Sequence, residues 1–314
     1  MTTSSGEIEK LLESRAALVD REMSLISYAL EPPELAEVVR YAMEQRGKKV
    51  RATLLTLACE AVGGSLAKAM IPAVVVEMIH NTSLILDDVI DASETRRGKK
   101  TVNSRWGNNM ALVACDALLA LAIRQASKSD AVMMASIIEC ASTSLLSLAE
   151  GEAMELVKKK YTPADYFKIA ERKTASLFRA SGEVGALVGG GTPAEVAALR
   201  QYGNCVGVAF QIKDDILDVL SSSDDIGKPT LIDLKMDRPT IVLLLARESG
   251  LDRDRMLTMS RDELKLALQP SIERAEAVAR KKIGEAKGYL SAIKDSPAKS
   301  RLAELGDFML TRQK

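Results

Sequence analysis

Residues 71–86 read IPAVVVEMIHNTSLIL, and residues 87–91, which follow directly, read DDVID. Apolar residues occupy nearly every face of the helix that residues 71–86 would form, which is typical of the centre of a bundle. Residues 196–219 repeat this pattern less uniformly and carry DDILD at 214–218. The pattern therefore predicts a helical bundle with two central helices, each of which ends in an acidic motif.

The rest of the chain also favours helices. Long segments place apolar residues at helical spacing, whereas the alternation of a β-strand is nearly absent and aromatic residues make up only 4%. Breaks at proline, glycine and serine leave about ten to twelve helices. Because no segment has the composition of an interdomain linker, we expect a single all-α domain over residues 1–314.

The overall charge excludes some classes of partner. The chain has 43 Lys and Arg against 43 Asp and Glu, so it lacks the basic field that attracts nucleic acid. Four cysteines, Cys59, Cys115, Cys140 and Cys205, lie in apolar stretches without C-x-x-C spacing. We interpret them as buried thiols in a reducing compartment, which predicts a cytoplasmic location.

The apolar stretches also bear on membrane insertion. Residues 1–10 are polar and acidic and lack the apolar core of a signal peptide. We expect charges such as Glu77 and Asp116 to interrupt every stretch before it reaches the length that a bilayer requires. The prediction is a soluble protein with no membrane span.

The spacing within the two acidic motifs points to a metal. The outer aspartates are four residues apart, Asp87 and Asp91 in the first motif and Asp214 and Asp218 in the second. A helix places such residues on one face, one turn apart, where like charges repel. Carboxylate oxygens suit Mg²⁺ that also contacts a substrate phosphate. One DDxxD alone is more often a solvated helix end, but two copies after apolar helices favour a metal site.

Basic clusters complement these acids. Residues 46–51 read RGKKVR and residues 96–100 read RRGKK, while Lys173 and Lys228 lie elsewhere. Each cluster alone would be interpreted as a solvated surface run. Guanidinium and ammonium groups bind phosphate oxygens, so acids and bases together predict a diphosphate substrate.

The sequence resembles the trans-isoprenyl diphosphate synthases of the polyprenyl synthetase family, in particular those that make geranylgeranyl or longer diphosphates. The resemblance spans roughly residues 46–240 and rests on five motifs in order: RGKKVR at 46–51, HNTSLILDDVIDASETRRG at 80–98, ERKTA at 171–175, GVAFQIKDDILD at 207–218 and GKP at 227–229. It implies a helical bundle around a central cavity. It also implies Mg²⁺-dependent head-to-tail condensation of isopentenyl diphosphate with an allylic diphosphate.

The resemblance also implies roles for individual residues. Asp87, Asp91 and Asp214 would bind a cluster of Mg²⁺ on the allylic diphosphate, supported by Asp88, Asp215 and Asp218. Arg96, Lys173 and Lys228 would hold the same diphosphate, whereas Lys48, Arg51, His80 and Arg97 would hold that of isopentenyl diphosphate. The carbonyl and hydroxyl oxygens at Lys173 and Thr174, together with Gln211, would ease the charge of the allylic cation. The released diphosphate would then take the proton, so no general base is expected.

His80 is the only histidine in the chain. A lone histidine within an apolar helix is usually a hydrogen-bonded core residue. Its position two turns before Asp87, together with its match to the family's motif, favours the ligand interpretation.

Product length can be argued from helix geometry. An isoprene unit is about as long as one helical turn, so residues stacked below the metal site would measure the growing chain. Thr82 and Ser83 form the first layer and are small, with Met78 and Ile79 below them. This predicts a product of C20 or longer, unless opposing helices close the path.

The sequence departs from the family's pattern at four positions, Leu86, Cys115, Glu152 and Arg238, which stand where a polar residue, glycine, glutamine and lysine are usual. None removes a residue assigned above to metal or diphosphate. Arg238 also keeps the charge of the lysine that it replaces.

Two other functions remain open. A class I terpene cyclase shares the fold, but it needs no second diphosphate site and its second metal motif usually mixes Asn, Ser and Glu. A non-catalytic regulatory subunit would generally lose aspartates, and both motifs are complete here. As in the family, we expect a homodimer formed through central helices.

Overall fold

The computed structural model describes residues 3–26, 29–44, 47–157, 160–220, 234 and 236–312. The chain is all-α, as the sequence predicted. Its helices are α1 (Thr3–Ser24), α2 (Pro33–Met43), α3 (Val50–Ala61), α4 (Leu66–Ile90), α5 (Val102–Trp106), α6 (Asn108–Ala126), α7 (Ala131–Val157), α8 (Pro163–Ala170), α9 (Ser176–Gly189), α10 (Pro193–Leu220), α11 (Ile241–Glu248), α12 (Arg253–Thr258), α13 (Arg261–Tyr289) and α14 (Pro297–Thr311).

Three short elements complete the description. A π-helical segment, Glu171–Ala175, joins α8 to α9, and a 3₁₀ turn, Leu290–Ala292, follows α13. Strands β1 (Thr95–Arg96) and β2 (Lys99–Lys100) pair antiparallel as a small hairpin after α4. Ten of the described helices are eleven or more residues long, in keeping with the ten to twelve expected from the sequence.

The two apolar helices that carry the acidic motifs are central, as predicted. Helix α4 packs against α3, α6 and α9, and residues 72–79 within it are all buried. Helix α10 packs against α9 and α13, with residues 205–209 buried. Helix α4 starts after Ser65, whose side chain accepts the N–H of Lys68, and ends at Asp91. Both acidic motifs therefore project from the ends of core helices.

Glycines bring α10 against the π-helical segment and the start of α9. A Cβ at Gly207 would lie 2.5 Å from Cα of Ala175, and one at Gly203 would lie 2.3 Å from the carbonyl oxygen of Phe178. Only residues without a side chain permit this approach. It places Gln211, one turn after Gly207, beside Thr174 of the π-helical segment.

The prediction that charges interrupt every long apolar stretch is wrong. By length and composition, α4, α6 and α7 could each cross a membrane, with mean hydropathies of 1.5, 1.3 and 1.6 over 18-residue windows. A single carboxylate, such as Glu77 in α4 or Asp116 in α6, lowers the mean hydropathy of the window too little to offset its many apolar residues. In α4, 72% of the window is buried within the fold, which accounts for its apolarity. In α7 the share is 17%, so its apolar surface needs another explanation.

The four cysteines are buried and unpaired, as the sequence predicted. Burial raises the pKa of the Cys115 and Cys140 thiols to about 12, and that of Cys205 to about 11. Thiols with such pKa values are not nucleophiles at neutral pH.

Candidate active site

The first acidic motif forms the end of α4. Asp87 lies in the last turn, and Asp91 caps the helix with its N–H donating to the Asp87 carbonyl oxygen at 2.9 Å. The two residues are thus one turn apart, as the spacing predicted. Burial raises the pKa of Asp87 to about 6, with Lys173 opposing the shift and Glu152 adding to it. A cation at this helix end would stabilise the charged form of Asp87.

The second acidic motif lies in the last two turns of α10, where Asp214 and Asp218 are again one turn apart. The side chain of Asp214 is 43% exposed, whereas Asp215 beside it is only 3% exposed. Asp215 accepts hydrogen bonds from Gln211 Nε2 at 2.8 Å and from the N–H of Ile241 at 3.0 Å. It thereby caps the start of α11.

The second aspartate of the first motif, Asp88, has the same kind of structural role as Asp215. Asp88 is 5% exposed and accepts Arg96 Nε at 2.9 Å and 3.0 Å through its two oxygens. Its carbonyl oxygen accepts Asn103 Nδ2 at 3.2 Å, which ties α4 to α5. In this structure Arg96, expected on the allylic diphosphate, is therefore held beside the first motif by Asp88.

Two further arginines contact the outer aspartates. Arg238 pairs with Asp91, and Arg312 pairs with Asp214 while donating to the Phe210 carbonyl oxygen at 3.0 Å. The sequence indicated Arg238 only as a departure from a family lysine. It gave no indication of Arg312, since an arginine near the end of a chain with 43 Lys and Arg forms no pattern.

The acidic residues fit Mg²⁺ as donors but do not form a cage. Within the described ranges, no three His, Cys, Asp or Glu side chains converge closely enough to hold an ion by themselves. Mg²⁺ commonly takes one or two carboxylates and completes its octahedron with water and substrate phosphate. The oxygens of Asp87, Asp91 and Asp214, at two helix ends, match that requirement.

The π-helical segment supplies the next group. Lys173 Nζ lies 2.6 Å from Glu152 Oε2 and 3.0 Å from Glu155 Oε2, both on α7. Burial alone would lower the pKa of Lys173, but Glu155, Asp87 and Glu152 outweigh burial and raise it. Lys173 therefore stays charged beside Asp87, and π-helical turns of this kind are frequent at functional sites.

Thr174 and Gln211 were predicted to act together, and the structure brings them into contact. The Thr174 hydroxyl donates to Gln211 Oε1 at 2.6 Å. Gln211 Nε2 in turn donates to Asp215. This chain of hydrogen bonds fixes the orientation of the Gln211 amide.

The four residues expected on isopentenyl diphosphate come from three parts of the chain. Arg51 Nη1 donates to His80 Nε2 at 3.2 Å. The Arg97 guanidinium lies against Gly47, where a Cβ would be 2.5 Å from Nη1. Lys48 is the neighbour of Gly47, and its Nζ lies 5.0 Å from the centre of the Phe308 ring. The structure thus brings together the first turn of α3, the middle of α4 and the hairpin.

Electrostatics within this cationic group decide the state of His80. Burial, and next the charges of Arg51, Arg97, Lys49 and Arg96, lower the pKa of His80 well below its usual value. A neutral His80 accepts from Arg51 and orients it. Burial also lowers the pKa of Arg51 to about 10, although Glu77 and Asp214 oppose the shift. Its guanidinium carbon lies 4.4 Å from the centre of the Phe178 ring.

The remaining predicted residues divide into two sets. Lys228 lies outside the described residues. The four residues proposed to measure product length, Met78, Ile79, Thr82 and Ser83, are all buried in α4. Helix α6 covers this region, with Cys115 Sγ 3.8 Å from the Thr82 carbonyl oxygen.

Known proteins are similar to this chain over nearly its whole length. The chain is similar to the short chain isoprenyl diphosphate synthase of Methanothermobacter thermautotrophicus, with 34% identity over 98% of this chain and 99% of that protein. It is similar to the geranylgeranyl diphosphate synthase of Methanosarcina mazei, with 31% identity over 96% and 97%. The crystal structure of geranylgeranyl pyrophosphate synthetase from Pyrococcus horikoshii superposes with a TM-score of 0.88 at 32% identity, over 98% and 99%.

The family profile described as polyprenyl synthetase matches residues 32–269, which include both acidic motifs, the π-helical segment and the cationic group. The family predicted from the motifs is thereby confirmed. The chain belongs to the polyprenyl synthetase family.

Proposed function

We propose that this protein condenses isopentenyl diphosphate with an allylic diphosphate, head to tail, to give a trans-polyprenyl diphosphate and release diphosphate. Membership of the polyprenyl synthetase family makes the chain a prenyltransferase. The observation that carries the proposal is that acidic and basic side chains form two distinct, neighbouring clusters. Acidic motifs end α4 and α10, while Arg51, His80 and Arg97 form a cationic group beside them.

The allylic diphosphate would bind at the acidic motifs. Mg²⁺ held by Asp87, Asp91 and Asp214 would act as a Lewis acid that neutralises the departing diphosphate. Lys173 lies beside Asp87 and stays charged because Glu152 and Glu155 surround it. Lys173, Arg96 and Lys228 would bind the diphosphate oxygens that the metal leaves free. Asp88, Asp215 and Asp218 would support the site.

The same arrangement suits an allylic cation. The Thr174 hydroxyl points its hydrogen at Gln211, so oxygen lone pairs remain to face positive charge. The amide of Gln211 is held by Asp215 and is a poor nucleophile. Preorganised dipoles of this kind stabilise a charge that develops during the reaction. The released diphosphate would accept the proton that leaves after the carbon–carbon bond forms.

Isopentenyl diphosphate would bind at the cationic group without a metal. Arg51, Arg97 and Lys48 supply charge, and neutral His80 orients Arg51 through the 3.2 Å hydrogen bond. A guanidinium that is stacked on an aromatic ring, as Arg51 is on Phe178, keeps a fixed direction for bidentate binding.

We further propose a product of C20 or longer. Thr82 and Ser83 are small and buried at the first layer below the acidic motif, in α4. The relatives from Methanosarcina mazei and Pyrococcus horikoshii are named for the C20 product geranylgeranyl diphosphate, which favours C20 itself.

The alternatives are less well supported. A terpene cyclase ionises one diphosphate and would not need the cationic group around Arg51. A regulatory subunit would not need Lys173 and Asp87 together in a half-buried arrangement.

The test of the reaction is product analysis. The purified protein is incubated with Mg²⁺ and labelled isopentenyl diphosphate, with C5, C10, C15 and C20 allylic diphosphates in parallel. Label should enter a longer diphosphate, and chelator should abolish the product. Hydrocarbon formed from an allylic diphosphate alone would support the cyclase, and no product with any primer would support the regulatory subunit.

We also propose that two copies pair through α6 and α7. Val132, Leu146 and Leu156 on α7 are 79%, 65% and 63% exposed, and Ile123 on α6 is 59% exposed. Glu152 and Glu155 hold α7 to the site through Lys173, so we favour a second copy over a membrane as the cover for this surface. A cytoplasmic location, suggested by four free thiols, and a single domain complete the proposal.

A further inference from the structure

Glu77 is a buried carboxylate that the proposed reaction does not use. It lies on α4, one turn before His80, and is 2% exposed. A buried carboxylate is costly unless it is paired and hydrogen-bonded. Its contacts therefore indicate what it contributes.

The first contact caps a neighbouring helix. Glu77 Oε1 accepts the N–H of Ala52, the third residue of α3, at 3.1 Å. The residue before α3, Lys49, provides no side-chain cap and has the left-handed backbone conformation, with φ of 46°. Glu77 thus supplies from α4 the acceptor that a helix start usually takes from its own N-cap residue.

The second contact holds Lys49 itself. Glu77 Oε2 lies 3.7 Å from Lys49 Nζ, and both side chains are 2% exposed. Asp20 on α1 lies 3.5 Å from the same Nζ but is 41% exposed. Because Coulomb attraction is strongest where water is excluded, Glu77 is the more effective of the two partners.

The charge of Glu77 also reaches the cationic group. It opposes the lowering of the pKa of Arg51 and of Arg97, both of which burial drives. Glu77 holds Lys49 and Ala52, and these residues are the direct sequence neighbours of Lys48 and Arg51 respectively. One carboxylate therefore accepts the N–H of Ala52, pairs with Lys49 and stabilises the charges of Arg51 and Arg97.

We propose that Glu77 is a positioning residue for isopentenyl diphosphate, fixing the start of α3 and Lys49 so that Lys48 and Arg51 can bind one diphosphate. This inference rests on the assignment of Lys48 and Arg51 to that substrate. Glu77 itself does not touch the substrate.

The test is steady-state kinetics of the Glu77→Gln variant, with each diphosphate varied separately. The amide keeps an oxygen for the Ala52 N–H but removes the charge beside Lys49. The KM for isopentenyl diphosphate should rise about tenfold, equivalent to about 1.4 kcal/mol, while kcat and the allylic KM stay within about twofold. Glu77→Asp, which keeps the charge but shortens the side chain, should give a smaller rise.

A matched control is Asp20→Asn, which removes the other carboxylate near Lys49. It should leave both KM values within about twofold, since exposed ion pairs contribute little. A Glu77→Gln variant that lowers kcat with both KM values unchanged, or raises both equally, would overturn the inference.

A second variant distinguishes a folding defect in Glu77→Gln from a loss of diphosphate positioning. If Glu77→Gln does not fold, the double variant K49M/E77Q removes the ammonium that would be left buried and unpaired. It should fold and still show the raised KM for isopentenyl diphosphate, and a normal KM would overturn the inference.

Arg51→Lys separates this inference from the substrate assignment. If that variant raises the allylic KM instead, the assignment fails. If it raises the isopentenyl KM while Glu77→Gln does not, only the role of Glu77 fails.

Discussion

Within each DDxxD motif the three aspartates have different surroundings. Asp88 and Asp215 are almost fully buried and are bonded to Arg96 and to the N–H of Ile241. Asp91 and Asp214 pair instead with arginine side chains from distant parts of the chain. The repeated residue type therefore has two roles: Asp88 and Asp215 hold the fold, whereas Asp91 and Asp214 are the residues that we propose for metal binding.

A pair of neighbouring variants separates these tasks. Asp215→Asn should lower the free energy of unfolding by about 1–3 kcal/mol, because a buried charged acceptor of two hydrogen bonds is lost. Asp214→Asn should lower stability by less than about 1 kcal/mol, since Asp214 is 43% exposed and the amide keeps an oxygen that can accept from Arg312. It should nevertheless lower elongation at least about a hundredfold, through lost charge stabilisation.

Urea unfolding and the elongation assay measure the two effects on the same preparations. Equal destabilisation by the two substitutions would contradict this division of tasks.

Some residues of the candidate site can be predicted from the sequence, and others cannot. Asp87, Asp91, Asp214 and Lys173 stand in motifs whose spacing and composition carry the chemistry. Arg312 reaches Asp214 from 98 residues away, so no local pattern could mark it. Such contacts depend on how helices pack, which helical periodicity does not specify.

At the scale of elements, the site depends on close helix approach. A Cβ at Gly151 on α7 would lie 2.7 Å from the backbone nitrogen of Lys173 and 2.9 Å from Cβ of Arg172. Helix α7 can therefore lie against the π-helical segment only if residue 151 has no side chain. The periodicity of the sequence predicts both helices but does not predict the π-helical turn between α8 and α9, because its residues are ordinary helix formers.

Gly151→Ala should displace the π-helical segment and with it Lys173. We expect a loss of elongation of about tenfold or more, since small displacements of catalytic groups are costly. Gly284→Ala on α13 is the control, because no atom lies within 4 Å of its added Cβ. It should keep full activity and gain up to about 1 kcal/mol of stability. Full activity in Gly151→Ala would show that the close approach does not position Lys173.

Helix α4 also carries the proposed control of product length. Thr82→Phe should shorten the product, because the ring would fill the first layer between α4 and α6, where Cys115 already approaches Thr82. Thr82→Val removes the hydroxyl that donates to the Met78 carbonyl oxygen but keeps nearly the same volume, so it should leave the chain-length distribution unchanged. Chromatography of dephosphorylated products from both variants measures the effect. An unchanged distribution in folded Thr82→Phe would refute the role of this layer.

At the scale of the whole molecule, the apolar surface of α7 is the least explained by the fold. Its composition could be mistaken for a membrane span, and only the packing shows that α4 is apolar because it is buried whereas α7 is apolar and exposed. A sequence cannot separate these cases, since the two helices have similar lengths, 25 and 27 residues, and similar mean hydropathies, 1.5 and 1.6.

Light scattering tests the proposed pairing of two copies. The wild-type protein should have about twice the 33.9 kDa mass of one chain, because an apolar surface of this extent is typical of a homodimer interface. V132E/L146E should be monomeric, since it places two charges on that surface four turns apart. Leu266→Glu on α13, where Leu266 is 78% exposed, should remain dimeric. A monomeric wild-type protein would contradict the proposal.

We propose that one molecule holds two diphosphates at sites of opposite character, one acidic and metal-dependent, the other cationic and metal-free. Calorimetric titration with isopentenyl diphosphate and with an unreactive thio analogue of an allylic diphosphate tests it most directly. Isopentenyl diphosphate should bind with or without Mg²⁺, and the analogue should bind only with Mg²⁺ and not to Asp214→Asn. An absolute requirement for Mg²⁺ at both sites, or full binding of the analogue to Asp214→Asn, would contradict the account.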